Sequence, residues 1–334
     1  MLIDAGLGFD AERMGEQARQ VEAEGYAGAW ATETGHDPFL ILANAAEHTS
    51  TLELGTGIVV AFGRSPMITA TLANDVQLLS KGRVLLGLGS QIKPHIEKRY
   101  SMPWSRPAAR MREYILALRA IWTSWNEGTK LDFRGEFYTH TLMTPFFSPG
   151  PNPYGPPKVF LAAVGELMAE VAGEVADGIL IHGFTTQRYM REATMPALMR
   201  GLEHRKRSRE SFQVSYPGFV ITGTPEEQEA ARPIVKGQIA FYGSTPAYRP
   251  VLELHGWGEL QVELNRLSKL GEWEKMATLI DDDVLDAFAV TAGPSDVASV
   301  VHKRYGDLVD RFSFYAPYHL PAERWAEVLA GFGG

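Results

Sequence analysis

The chain has no cysteine, which excludes disulfides, thiolate catalysis and cysteine metal ligands together. No apolar run approaches the roughly 20 residues that a bilayer-spanning helix needs. The opening stretch, MLIDAGLGFDAERM, carries no basic segment and meets Asp4 at once, so it does not read as a signal peptide. Positive charge is also in short supply. A formal net charge of −8 argues against a general nucleic-acid binder, since neutralising phosphates takes a basic surface. A cytoplasmic protein with neither a membrane nor a nucleic-acid partner is expected.

Several catalytic signatures are missing as well. There is no HExxH, and no His/Asp/Glu set has metal-ligand spacing, so no metal site is expected. No G-x-S-x-G elbow occurs. Gly87-Leu88-Gly89 is not extended to G-x-G-x-x-G, so the dinucleotide fingerprint is absent.

What is present is a rhythm. The 334 residues, 45% of them hydrophobic, suffice for two ordinary domains or one large barrel. Strand patterns at 2–8, 27–32, 52–62, 83–88, 159–163, 178–182, 214–222 and 311–316 alternate with helical sequence. Helix starts are marked by Asp10, Asp37-Pro38, Ser65-Pro66 and the capping box Thr224-Pro225-Glu226-Glu227. The pattern predicts a single-domain α/β fold over 1–334, a (β/α)₈ TIM barrel with insertions after strands four and seven. The first insertion, about 129–156, holds a small hairpin and a Pro/Gly-rich loop; the second, about 237–290, reads as short helices without a strand. A doubly wound open sheet is the rival arrangement.

In a barrel, chemistry sits at the carboxyl ends of the strands. Strand two ends in Thr32-Glu33-Thr34-Gly35-His36, and Glu33 with His36 could do acid–base work, or be a structural acid beside a loop histidine. Strand three carries Gly55 and Gly57, marks of a bulge or a close backbone approach. Strand four, RVLLGLG, runs into Ser90-Gln91 and the basic residues Lys93, His95, Lys98 and Arg99, which could hold an anionic cofactor tail or form a solvated helix face. Strand five ends in Ala162-Ala163-Val164-Gly165 before a helix N-terminus, and strand six in His182-Gly183-Phe184. No carboxylate pair and no strand-end lysine appears. A mouth poor in conventional catalytic groups and rich in small residues suggests that a bound cofactor carries the chemistry.

These stretches resemble the bacterial-luciferase-like oxidoreductases, and among them the coenzyme F420-dependent branch. The carriers are GYAGAWATET, LELGTGIVVAFGRSP, GRVLLGLGSQ, FRGEFY, KVFLAAVG and AGEVADGILIHG, in order across essentially the whole chain. The resemblance implies a barrel that binds F420, or alternatively FMN, at its mouth. It implies a non-prolyl cis peptide at Gly57-Ile58 behind the cofactor ring. Gly89, Ser90 and Gln91 would form a cofactor-binding loop; Ala162, Ala163 and Gly165 would lie along the ring and phosphate tail, with His182 and Gly183 in the neighbouring loop. Where some relatives carry Asp-His at the end of strand two, this chain has Glu33 and Thr34, which leaves Glu33 or His36 as the candidate in that place, or no protein base at all. The implied activity is hydride transfer between F420 and a small organic substrate, by a homodimer. An FMNH₂-dependent monooxygenase is the alternative, and a non-catalytic cofactor-binding or assembly protein is the third reading.

Overall fold

A computed structural model describes residues 1–333. Eight parallel strands close into a ring: β1 (Leu2–Leu7), β2 (Gly28–Ala31), β3 (Glu53–Thr56), β4 (Val84–Gly89), β5 (Lys158–Ala163), β6 (Gly178–Ile181), β7 (Gln213–Ile221) and β8 (Arg311–Tyr315). Each pairs with its successor, and β8 closes on β1 through Leu2, Ile3 and Asp4 beside Arg311, Phe312 and Ser313. Helices surround this ring. The fold is a (β/α)₈ barrel.

Local chemistry sets the element boundaries. Asp37 accepts the N–H of Phe39 ahead of the Pro38–His48 helix, and Ser65 accepts that of Ile68 ahead of Pro66–Leu79. Thr224 and Glu227 form a reciprocal capping box at the start of Pro225–Gly243. Each such cap stabilises its helix by about 1 kcal/mol. Asp10 behaves differently from expectation: its carboxylate accepts from Glu12 and Arg13 N–H, holding a turn, and the helix begins only at Met14.

β3 is shorter than the 52–62 stretch expected. After Thr56 the chain passes through a cis peptide at Gly57-Ile58, resumes pairing with β4 at Val59–Val60, and coils into a 3₁₀ turn at Ala61–Gly63. All six residues of β4 are buried. Gly87 there has no room for a side chain, because a Cβ would lie 1.8 Å from the Thr56 carbonyl oxygen; Thr56 Oγ1 in turn donates to the Gly87 carbonyl at 2.8 Å.

Between β4 and β5 lie the long helix Pro107–Glu127 and an antiparallel hairpin, Phe133–Arg134 with Thr139–His140. One carboxylate, Glu113, accepts the successive N–H groups of Glu136, Phe137 and Tyr138 and fastens the hairpin to that helix. Between β7 and β8 stand five helices from Pro225 to Phe288, built around a second apolar cluster that includes Ile239, Leu264 and Phe288 and reaches Phe184 and Phe219 of the barrel. A short strand, Ala289–Thr291, pairs with the end of β7 where helix alone was expected. A closing helix, Ala322–Ala330, follows β8 and buries Val328 and Leu329. Among the described residues no helix is long and apolar enough to cross a membrane.

Candidate functional site

A cavity of about 580 Å³ opens at the carboxyl ends of the strands, within the size range of small-molecule sites. β3 contributes Gly57 and Ile58, joined by the cis peptide. The turn after β4 contributes Gly89, Ser90 and Gln91, the last with φ +58°, a left-handed conformation uncommon for a side-chain-bearing residue. Ala162 and Ala163 of β5 line the next stretch, and His182 and Gly183 after β6 follow. Gly165 does not line the cavity; it caps the Glu166–Val175 helix just beyond it.

Neither candidate acid–base residue lines the cavity. The Glu33 side chain is 7% exposed and turned behind the break in β3. Its oxygens accept from Val60 N–H at 2.9 Å, from Tyr100 Oη at 3.0 Å and from Arg64 Nη2 at 2.9 Å. Its own N–H donates to the Ile58 carbonyl. Glu33 therefore clamps both sides of the Gly57–Val60 segment. His36 is exposed and stacks on Phe9, with ring centroids 3.9 Å apart.

Several lining residues were missed by sequence reasoning. Trp30, in the middle of β2, forms part of the cavity wall. Its ring lies beside Gly55 and Gly57, and its Nε1 donates to Asp4 at 2.8 Å. Asp4 is fully paired beneath: Arg311 Nε and Nη2 donate to its two oxygens at 2.8 and 2.7 Å, and Arg311 Nη1 donates to Glu53. Arg311 is completely buried. On β1, Gly6 faces open space, with nothing within 4 Å of where a Cβ would stand. From β8 come Ser313, Phe314 and Tyr315. A lone tryptophan between alanines, and a glycine two residues after an inward-pointing acid, were the available signals for Trp30 and Gly6.

The β7–β8 segment supplies the remaining wall. Tyr242 and Tyr248 reach the cavity, whereas Phe241 and Trp273 face each other at about half exposure, and Trp257 stacks on His255. His182 is stacked on Tyr248, centroids 4.7 Å apart, and meets Tyr242 edge-on. Phe184 N–H donates to His182 Nδ1 at 3.0 Å, and His182 Nε2 lies 3.2 Å from Tyr248 Oη. Burial pushes the imidazole down to about 4 and the Tyr248 phenol up to about 12. Tyr315 is raised by burial and by its 2.8 Å hydrogen bond to Tyr242 Oη. Among the described residues lining the cavity, none is Lys, Arg, Asp or Glu.

One titratable cluster lies elsewhere. Glu170, Glu174 and His204 converge on the outer helices, but Arg200 and Arg112 already pair with the two carboxylates.

The family model described as luciferase-like monooxygenase matches residues 3–311. An uncharacterized protein of Mycobacterium tuberculosis (strain ATCC 25618 / H37Rv) is 56% identical over 310 residues, 92% of this chain and 91% of that one. A 5,10-methylenetetrahydromethanopterin reductase of Archaeoglobus fulgidus is 28% identical over 292 residues, 84% of this chain and 82% of that one. The solved structure of a coenzyme F420-dependent tetrahydromethanopterin reductase from Methanopyrus kandleri shares the fold, with a TM-score of 0.79 at 20% identity over 98% of this chain and 96% of that one.

Proposed function

Since the chain belongs to the luciferase-like monooxygenase family, we propose that it is an oxidoreductase that binds coenzyme F420 in the strand-end cavity and moves a hydride between it and a small organic substrate. The observation that carries this reading is the cavity itself: roomy, uncharged, walled by Trp30 and the Gly57-Ile58 backbone, and left clear where Gly6 has no side chain. Those features fit a planar tricyclic ring. When bound, the deazaflavin would supply a hydride at C5, the redox step that no side chain here can perform.

The chain's own residues would bind and orient. Gly57 and Ile58 would back the ring, while Ala162 and Ala163 would leave room along it, with Gly165 opening the helix just beyond. Gly89, Ser90 and Gln91 would face its polar edge, and His182 with Gly183 would close the far side. The Lys93–Lys98 helix, which carries His95 and begins beside cavity-lining Ile92, sits where an anionic tail would leave the mouth. Glu33 and His36 are not assigned a proton-transfer role, since one carboxylate is committed to three donors and the other side chain is stacked outside.

The reductase relative and the solved reductase named as coenzyme F420-dependent support F420; the family's description as a monooxygenase keeps reduced FMN as the second reading. Parallel titration with F420 and FMN, followed by absorbance and calorimetry, separates them. Binding of F420 and hydride transfer without oxygen uptake is expected. Tight FMN binding with none of F420 overturns the reading, and no turnover with either leaves the non-catalytic alternative. The same reading has the protein working as a cytoplasmic homodimer, which light scattering on the purified chain checks.

A further inference from the structure

The cavity's polar lining has a direction. Phe184 N–H can only donate, so the His182 Nδ1 it meets at 3.0 Å must be the bare nitrogen of the ring. A neutral imidazole with a bare Nδ1 carries its hydrogen on Nε2. With a hydrogen on Nε2, the Tyr248 hydroxyl 3.2 Å away cannot donate to the ring and can only accept from it. Protonating the ring would set two N–H groups against each other, and burial opposes it further. The Tyr248 hydroxyl hydrogen is therefore left over. No second protein partner for Tyr248 Oη occurs among the described residues, and Tyr248 lines the cavity. An unspent donor facing a pocket calls for an acceptor on the ligand.

The rest of the lining narrows that acceptor. With no charged side chain on the wall, a carboxylate or phosphate at this position would be desolvated without a counter-charge, and an ammonium likewise. A neutral oxygen acceptor has no such cost.

We propose that Tyr248 is the hydrogen-bond donor to the carbonyl oxygen of a neutral ketone or aldehyde substrate, and the proton donor when that carbonyl is reduced. This deepens the hydride-transfer reading above and rests on it. In the step, the carbonyl carbon gains a C–H bond by accepting hydride from the reduced coenzyme, which is thereby oxidised. The carbonyl π pair becomes an O–H bond with the Tyr248 proton, giving a neutral alcohol. The phenolate, held by His182 Nε2–H, recovers its proton from water at the mouth. Tyr248 is protonated near neutral pH, the form that the donor role needs, and burial raises it further to about 12.

Tyr248→Phe keeps the stacked ring and removes only the hydroxyl. Three measurements decide the matter. Long-range ¹H–¹⁵N spectra of the protein alone are expected to show His182 protonated at Nε2; protonation at Nδ1 overturns the donor assignment. The infrared band of ¹³C=O-labelled cyclohexanone, recorded with the protein alone and with oxidised F420 added, is expected to move to lower frequency with the parent protein and to lose that shift with Tyr248→Phe. Equal bands in the two proteins overturn it. With reduced F420, cyclohexanone reduction is expected to lose about 100-fold in kcat in Tyr248→Phe, with little change in KM; an unchanged kcat overturns the proton-donor role. Failure of the parent protein to bind F420 defeats the functional reading instead, and the first two measurements still decide what Tyr248 does. Should Tyr248→Phe fail to fold, the His182 spectrum and the cyclohexanone band of the parent protein decide alone.

Discussion

At the amino ends of the strands the barrel is filled by charge: Arg311 lies bidentate on Asp4, both fully buried, and reaches the partly exposed Glu53. At the carboxyl ends the same interior is left uncharged and hollow, with Gly6 and Ala5 directly above Asp4 on one strand. Trp30 belongs to both layers, its Nε1 bound to Asp4 and its ring forming cavity wall. Charge that is completely paired makes a floor that cannot shift; absence of charge makes a chamber that accepts a neutral ring. A buried ion pair stabilises little by itself, so its value here is in holding one indole at one angle.

The comparison can be broken from below. Arg311→Met leaves Asp4 buried without its partner and is expected to destabilise by roughly 3–5 kcal/mol in urea unfolding. Replacing Asp4 by Asn in that background is expected to recover a good part of it, since the uncompensated charge is then gone. A full loss that the second change does not reduce would mean that packing, not charge, governs the floor.

The upper layer responds to acid. His182 has a folded value of about 4 against 6.5 for the free group. The unfolded chain therefore takes up its proton first, and stability falls as pH drops from 6.5 toward 4. At about 1.4 kcal/mol per pH unit of difference this amounts to roughly 3 kcal/mol. His182→Gln is expected to flatten that part of the stability–pH curve, and an unaltered curve counts against the buried neutral imidazole.

Gly6→Val tests the hollow itself. Nothing stands within 4 Å of the new Cβ, so the melting temperature is expected to hold while F420 affinity falls about tenfold or more, an energy of about 1.4 kcal/mol. Thr224→Ala, at a cap away from both layers, serves as the reference. It is expected to cost about 1 kcal/mol and leave coenzyme binding unchanged.

Much of this architecture is legible in the amino-acid order. The buried run of β4, the proline-bearing caps and the alternation of strand and helix carry the barrel, because each rests on local chemistry. The lining from β3 to β6 follows from the rule that function gathers at strand ends. Glu33 shows where local reading stops: nothing near it in sequence reveals that Val60, Tyr100 and Arg64 claim its oxygens. Gly6, Ser313 and Tyr315 share a wall only because β1 meets β8, a pairing that joins opposite ends of the chain. The Ala322–Ala330 helix and the Ala289–Thr291 strand are likewise settled by docking onto distant surfaces.

That seam between β1 and β8 has a consequence for the way the protein is made. Asp4 and Arg311 are 307 positions apart, so one edge of β1 stays bare until the whole stretch up to β8 has been synthesised. At elongation rates of about 5–20 residues per second the wait is on the order of tens of seconds. Throughout it an unpaired carboxylate sits in what will become the driest part of the molecule, which keeps the nascent segment in water until its guanidinium arrives.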